Sequence, residues 1–174
     1  MGQAGPGNVT SWEYVEKIQY KMDTLTKQER SALMAKIGSK WTGPERKLYE
    51  AMKGLGLDPR THDAQLPGRP DFVFDDPPAC DAHTPEQHAP WRPLAVLTEG
   101  CHWHACPKHY KLPKTNKKFW HNKITNNVAR DARNRRALNR MGIRVMRVWE
   151  HDLRTADAAG KAAETVRKRL CARN

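Results

Sequence analysis

No run of apolar residues in this sequence approaches the ~20 needed to cross a bilayer. Its opening, MGQAGPGNVTSWEY, lacks the apolar core of a signal peptide. Both absences predict a cytosolic protein with no membrane partner. Cysteine is scarce. Of Cys80, Cys101, Cys106 and Cys171, only Cys101 and Cys106 fall close together, which in a reducing compartment suggests metal rather than a disulfide. Cys80 and Cys171 read as incidental. Acidic residues are outnumbered, 19 against 31 Lys and Arg, and the net charge of +12 predicts a polyanionic partner. There is no internal repeat, and no sustained heptad or exposed apolar seam asks for a second copy, so a monomer is expected.

What is present organises as one domain with its own core. A helical arm is predicted over residues 1–23, with Trp12, Val15, Ile18 and Met22 at three- and four-residue spacing. The domain proper is expected over 24–174. A helix starting at the capping pattern Thr26 to Glu29 runs through SALMAKI to Gly38. Another follows in TGPERKLYEAMKGLG, where Thr42 and Glu45 form a capping box, Leu48, Met52 and Leu55 share one face, and Gly54 and Gly56 close it. RPDFVFD and PLAVLTEG read as core strands, the second continuously apolar from Leu94 to Leu97. Between them DDPPACDAHTPEQHAPWR is polar and Pro-rich, a surface excursion. Residues 119–141 form a long helix that Gly142 ends, and IRVMRVWE is a third strand. A strand, helix, strand unit pairs in parallel, so the expected fold class is α/β: a small mixed sheet flanked by helices.

The densest chemistry lies in EGCHWHACPKHYK. It offers Cys101, His102, His104, Cys106 and His109 as ligands, thiolate and imidazole being the donors that a tetrahedral structural zinc prefers. Spacing alone does not choose among five. His151, ending the last strand, could supply a fourth ligand, because a parallel crossover brings both strand ends to one edge of the sheet. Cys101, Cys106, His109 and His151 are therefore a candidate set. That set leaves His102 and His104 over, and a spare imidazole, with an ordinary pKa near 6.5, is a natural general base.

Asp71 opens one strand and Glu99 follows another. Neighbouring strands would bring both carboxylates to one sheet edge, where hard oxygens bind Mg²⁺. A carboxylate-held Mg²⁺ in cationic surroundings is the pattern for phosphodiester hydrolysis. In the long helix Trp120, Ile124, Val128 and Leu138 make an apolar stripe, and Asp131 falls inside it. An acid there needs a partner, either Arg135 or His104. Arg130, Arg133, Arg136 and Arg140 gather on the opposite face, suited to phosphate. Glu45 lies on the apolar side of its helix, where capping is sufficient explanation. Some of the six tryptophans can stack on or wedge between bases.

The order of RSALMAKI, GPERKL, LPGRPDFVF, LTEGCHWHACPKHY, KTNKKFWHNKITNNVARDARN and GIRVMRVWEH resembles the very-short-patch repair (Vsr) mismatch endonucleases over roughly residues 30–155. The resemblance implies a fold related to the PD-(D/E)XK nucleases. It also implies nicking of DNA on the 5′ side of the thymine in a T:G mismatch, the product of 5-methylcytosine deamination. By position, Asp71 matches a magnesium-binding aspartate, and Thr98 a threonine whose main-chain carbonyl contacts metal. His104 and Asp131 match the base and its carboxylate partner, and Glu45 a glutamate near the site. Cys101, Cys106, His109 and His151 match the structural zinc ligands, and Trp103 and Trp120 match wedge residues. Two departures stand out. Glu99 replaces a histidine and would restore a second acid to the metal site; His102 replaces an aromatic wedge. A MutL-type repair factor as partner and a nucleoid-associated cytoplasmic location are further implications. The rival readings are a zinc-stabilised DNA-binding protein without catalysis, and a nuclease of the same fold with another DNA target.

Overall fold

The computed structural model describes residues 40–76 and 91–172, together with Thr26, Gln28, Glu29 and Ala32. The expected N-terminal arm, most of the helix ending at Gly38, and the greater part of the Pro-rich excursion with Cys80 lie outside the described residues. The chain divides into two units, at residue 43. In the first, the capping box is formed as expected: Thr26 N donates to Glu29 Oε2 at 2.8 Å, and Glu29 N donates to Thr26 Oγ1 at 3.2 Å.

The second unit opens with α1 (Gly43–Gly54), whose Glu45, Leu48 and Met52, at three- and four-residue spacing, are buried. Gly56, at φ +72°, turns the chain out of the helix, with Leu57 N returning to Met52 O at 3.0 Å. Four strands follow: β1 (Arg60–Thr61), β2 (Phe72–Phe74), β3 (Leu94–Glu99) and β4 (Arg144–Trp149). They lie side by side in that order, β1 and β3 antiparallel to β2, and β4 parallel to β3. The mixed sheet matches the sequence reading. The two-residue β1 was not foreseen, being too short to carry a period.

Between β3 and β4 runs α2 (Lys117–Arg140), which packs against β4. Gly142, at φ +82°, closes it, with Ile143 N bonded to Leu138 O at 3.0 Å. Its apolar stripe is narrower than predicted. Ile124 and Leu138 are buried, but Val128 is 39% exposed, because a 24-residue helix overhangs a sheet whose longest strands span only six residues each. Leu138 packs with Ala95 and Ile143 over the sheet.

A 3-10 helix (Glu150–Leu153) leads to α3 (Ala156–Cys171), capped by Thr155 Oγ1 accepting from Ala158 N at 3.1 Å. Ala159, Ala163, Val166 and Leu170 bury its inner face. Arg144, buried at the start of β4, donates to Arg169 O at 3.0 Å and Ala172 O at 3.4 Å. A cation thus meets the carbonyls left open at the end of α3. Cys171, expected to be incidental, is disulfide-bonded.

Replacing Leu138 by Ala should lower unfolding free energy by about 2–5 kcal/mol. Val128→Ala should change it by less than about 0.5 kcal/mol. Urea titration of both variants checks this, and equal losses would contradict the register assigned to α2.

Candidate active site and metal centre

Antiparallel pairing of β2 with β3 sets the beginning of β2 beside the end of β3, since Phe72 faces Val96. Asp71 therefore meets Thr98, whose amide donates to Asp71 Oδ2 at 2.6 Å. The preceding turn holds Asp71 firmly. Gly68 has φ +78°, and a Cβ there would come within 2.7 Å of Asn134 Nδ2, so only glycine lets this turn approach α2.

Two further groups join Asp71. Glu45, 5% exposed, projects from α1, and His62 projects from the residue after β1. His62 Nε2 lies 3.6 Å from Glu45 Oε2, and its Nδ1 lies 4.0 Å from Asp71 Oδ1. One ligand atom from each of Glu45, His62 and Asp71 falls within 4.8 Å of the others. Burial drives the Asp71 carboxyl up to about 7; the Thr98 amide opposes this, while the charges of Glu45 and Glu99 reinforce it. Two acids crowded out of water make a site that a cation would neutralise. Thr98 also keeps its hydroxyl oxygen buried with no hydrogen-bond partner among the described residues. Three donors, two of them hard oxygens, fit a divalent ion.

Glu99 is not in this cluster. It is 2% exposed, Arg147 Nε donates to its Oε2 at 2.6 Å, and Arg135 Nη1 lies 3.8 Å from Oε1. Successive residues of a strand face opposite sides, so the residue after Thr98 turns away, toward cations from β4 and α2. The expectation that Glu99 would bind metal beside Asp71 gives way to this ion pairing. Arg135, weighed as a partner for Asp131, is taken up by Glu99 as well.

Asp131 reaches His104 instead. His104 Nδ1 and Asp131 Oδ2 are 2.6 Å apart, and Arg130 donates to the other oxygen, Oδ1, from Nε at 3.2 Å and Nη2 at 3.0 Å. With Nδ1 committed to a carboxylate, the ring's proton belongs there, and Nε2 is left as the acceptor. His104 is in the loop leaving β3, its amide bonded to Gly100 O at 3.1 Å. A cavity of about 150 Å³ adjoins the pair, lined by His104, Asp131, Arg135 and Arg147 among others.

The loop also gathers the four candidate metal ligands. Cys101 and Cys106 are buried, and one atom each from Cys101, Cys106, His109 and His151 lies within 4.8 Å of the rest. The sulfur to Nδ1 distances are 3.2 Å (Cys101–His151), 3.6 Å (Cys106–His109), 3.7 Å (Cys106–His151) and 4.0 Å (Cys101–His109). A tetrahedral ion with bonds of ~2.3 Å to sulfur and ~2.05 Å to nitrogen sets such pairs about 3.5 Å apart. Parallel pairing of Glu99 with Trp149 brings Cys101 and His151 together, as the crossover argument predicted. His151 Nε2 lies 3.3 Å from Asp152 Oδ1, which orients the ring. Burial, the neighbouring Cys106 and the charge of Glu150 push the Cys101 thiol up to about 12; a bound cation reverses that balance.

The remaining loop residues form an aromatic cluster. Trp103 and Trp120 are 5.9 Å apart between ring centroids, with His102 at 5.3 Å from Trp103 and 5.2 Å from Trp120. Burial holds the His102 imidazole below its ordinary pKa, favouring the neutral ring. Tyr110 and Phe119 extend the cluster, and sequence reasoning missed both. Phe119 is 60% exposed beside Trp120. It also missed His62; the signal was its place just before the turn LPGRPD, whose far end carries Asp71.

The family described as DNA mismatch endonuclease Vsr matches residues 22–78. The DNA mismatch endonuclease Vsr of Escherichia coli K12 is 37% identical over 146 residues, 83% of this chain and 84% of its own length. Two type II nicking enzymes are also similar. V.XorIIP of Xanthomonas oryzae is 35% identical over 75% of this chain and 86% of its own. V.NmeDIP of Neisseria meningitidis serogroup C is 32% identical over 84% and 91%. With relatives this similar along nearly their whole length, the chain belongs to the Vsr family of DNA mismatch endonucleases.

Proposed function

We propose that this protein nicks duplex DNA on the 5′ side of the thymine in a T:G mismatch, starting very short patch repair of deaminated 5-methylcytosine. The observation that carries the reading is the 2.6 Å pair of His104 and Asp131. It stands in the loop that leaves β3, the strand whose Thr98 amide holds Asp71.

Asp71, with Glu45 and the main-chain carbonyl of Thr98, would hold Mg²⁺. An ion held by these residues would supply Lewis-acid chemistry, polarisation of the scissile phosphate and a lowered pKa of the attacking water. His104 accepts the water's proton at Nε2. Asp131 keeps the ring in the required tautomer and offsets the charge that the imidazole gains, and Arg130 fixes Asp131 in turn. Glu99, tied to Arg147 and Arg135, braces the end of β3 rather than touching the phosphate.

Recognition divides into two parts. The net charge of +12 attracts any duplex, with strong salt dependence. Trp103, Trp120 and His102 form the wedge, and unstacking a step costs a few kcal/mol, less where the pair is already mismatched. Cys101, Cys106, His109 and His151 would hold a zinc ion, which would keep the loop that carries both wedge and base in one shape. The family resemblance extends the reading to a MutL-type repair factor as partner and to a place at the nucleoid. Among the described residues no helix is long and apolar enough to cross a membrane.

Two outcomes test the reading. In a strand-resolved assay, wild-type protein should cut T:G duplex 5′ to the thymine and leave fully paired duplex intact. His104→Ala should lose about 10²–10⁴-fold in rate, and Asp71→Asn should lose nicking while still binding the mismatch. Equal cutting of paired and mispaired DNA would reject mismatch specificity. Separately, elemental analysis of purified protein should find one zinc per chain. Cys106→Ser should lose it together with cooperative unfolding, whereas Asp71→Asn should retain it; zinc retained in Cys106→Ser would dismiss the assigned ligand set.

A further inference from the structure

We infer that His62 supplies a nitrogen ligand to the catalytic cation site, so that Glu45, His62 and Asp71 form a mixed nitrogen and oxygen site that binds a first-row transition ion such as Mn²⁺ more tightly than Mg²⁺. The inference rests on the metal-dependent nuclease reading above and concerns the composition of the same site.

Geometry carries it. The imidazole is 8% exposed and lies between the two carboxylates, its Nε2 3.6 Å from Glu45 Oε2, and one ring nitrogen falls within 4.8 Å of a carboxylate oxygen of both Glu45 and Asp71. An octahedral ion with bonds of ~2.05 Å sets its ligand atoms roughly 2.9 Å apart when adjacent and 4.1 Å when opposite. The Nε2–Glu45 separation falls inside that range, and with the three donor atoms all within 4.8 Å of one another, side-chain adjustments bring them to one ion.

The backbone holds the ring in that place. His62 adopts φ +50°, a left-handed conformation uncommon for any residue but glycine, asparagine, aspartate or histidine. Two contacts enforce it. His62 N donates to Asp71 O at 3.0 Å, and Arg69 Nε donates to His62 O at 3.2 Å. A strained conformation fixed at both ends, with its side chain between two acids, is the kind of local strain that surrounding structure preserves at a working site.

Chemistry then sets the preference. Mg²⁺ demands hard oxygen and gives up its waters reluctantly. Imidazole suits transition ions, whose affinity for nitrogen donors rises from Mn²⁺ onward along the first row. Replacing one oxygen by a histidine nitrogen therefore tilts the site toward Mn²⁺ and Co²⁺. The two carboxylates still match the charge of either ion.

The test uses the full chain with its tetrahedral site filled by zinc, and Mn²⁺ as the probe. Pulsed electron paramagnetic resonance of the bound Mn²⁺ should display nitrogen-14 modulation from a coordinated imidazole. Titration should give tighter binding of Mn²⁺ than of Mg²⁺ by about 10-fold or more. His62→Asn, a residue that tolerates the left-handed backbone, should abolish the modulation. It should weaken Mn²⁺ by at least the ~10-fold that even outer partners of a ligand contribute, and Mg²⁺ much less. If Mn²⁺ binds without nitrogen modulation, or the modulation survives in His62→Asn, His62 is not a ligand and the inference is overturned. In that case binding lost in Asp71→Asn keeps the metal-dependent reading intact. Binding unaffected in Asp71→Asn would overturn the cation site itself, and the inference with it.

Discussion

One hydrogen bond organises this molecule's chemistry: the amide of Thr98 on β3 holds the carboxylate of Asp71 at 2.6 Å. It fixes a buried acid at the mouth of a two-strand junction, where burial and the charge of Glu45 both disfavour ionisation. A site so arranged stores an electrostatic cost that a divalent ion relieves. Everything else converges on the same end of β3. Glu99, the next residue, ties the strand to β4 and α2 through Arg147 and Arg135. Two residues further on, Cys101 begins the loop that gathers the candidate metal ligands, the His104–Asp131 pair and the aromatic cluster around Trp103.

Division of labour within that loop follows from strand pairing. β3 and β4 run parallel and finish together, Glu99 against Trp149, so residues just beyond each strand can share one metal. An ion held there would tie Cys101, Cys106 and His109 to His151. The intervening histidines are left with other partners, His104 with Asp131 on α2 and His102 with the aromatic cluster. One short segment thus carries a candidate metal ligand set, a histidine paired with a carboxylate and an aromatic cluster without competition among them.

Much of this was legible in the sequence. β-branched and aromatic runs marked β2, β3 and β4, and the crossover helix required the β3–β4 pair to be parallel. That topology made Cys101, Cys106, His109 and His151 a plausible set where spacing alone left five candidates, and the structure brings those four together. An acid inside the apolar stripe of α2 announced that Asp131 needs a partner, though only coordinates chose His104 over Arg135. Other features were hidden for physical reasons. Glu99 looked like a metal ligand because sequence gives proximity to a sheet edge but not which face of the pleat a side chain takes. Val128 fits the helical period yet is exposed, since periodicity does not report where a sheet stops. His62 follows a two-residue strand and is placed by a left-handed turn, neither of which leaves a periodic trace. Cys171 seemed incidental because its bonding is a long-range fact.

Crystals of the full chain soaked with Mn²⁺ and measured at the manganese and zinc absorption edges put the central claim to its most direct test. The account predicts a manganese peak at bonding distance from Asp71 and a separate zinc peak among Cys101, Cys106, His109 and His151, with Glu99 still paired to Arg147. A manganese ion bonded to Glu99, or an Asp71 carboxylate that binds no metal at saturating Mn²⁺, would contradict it.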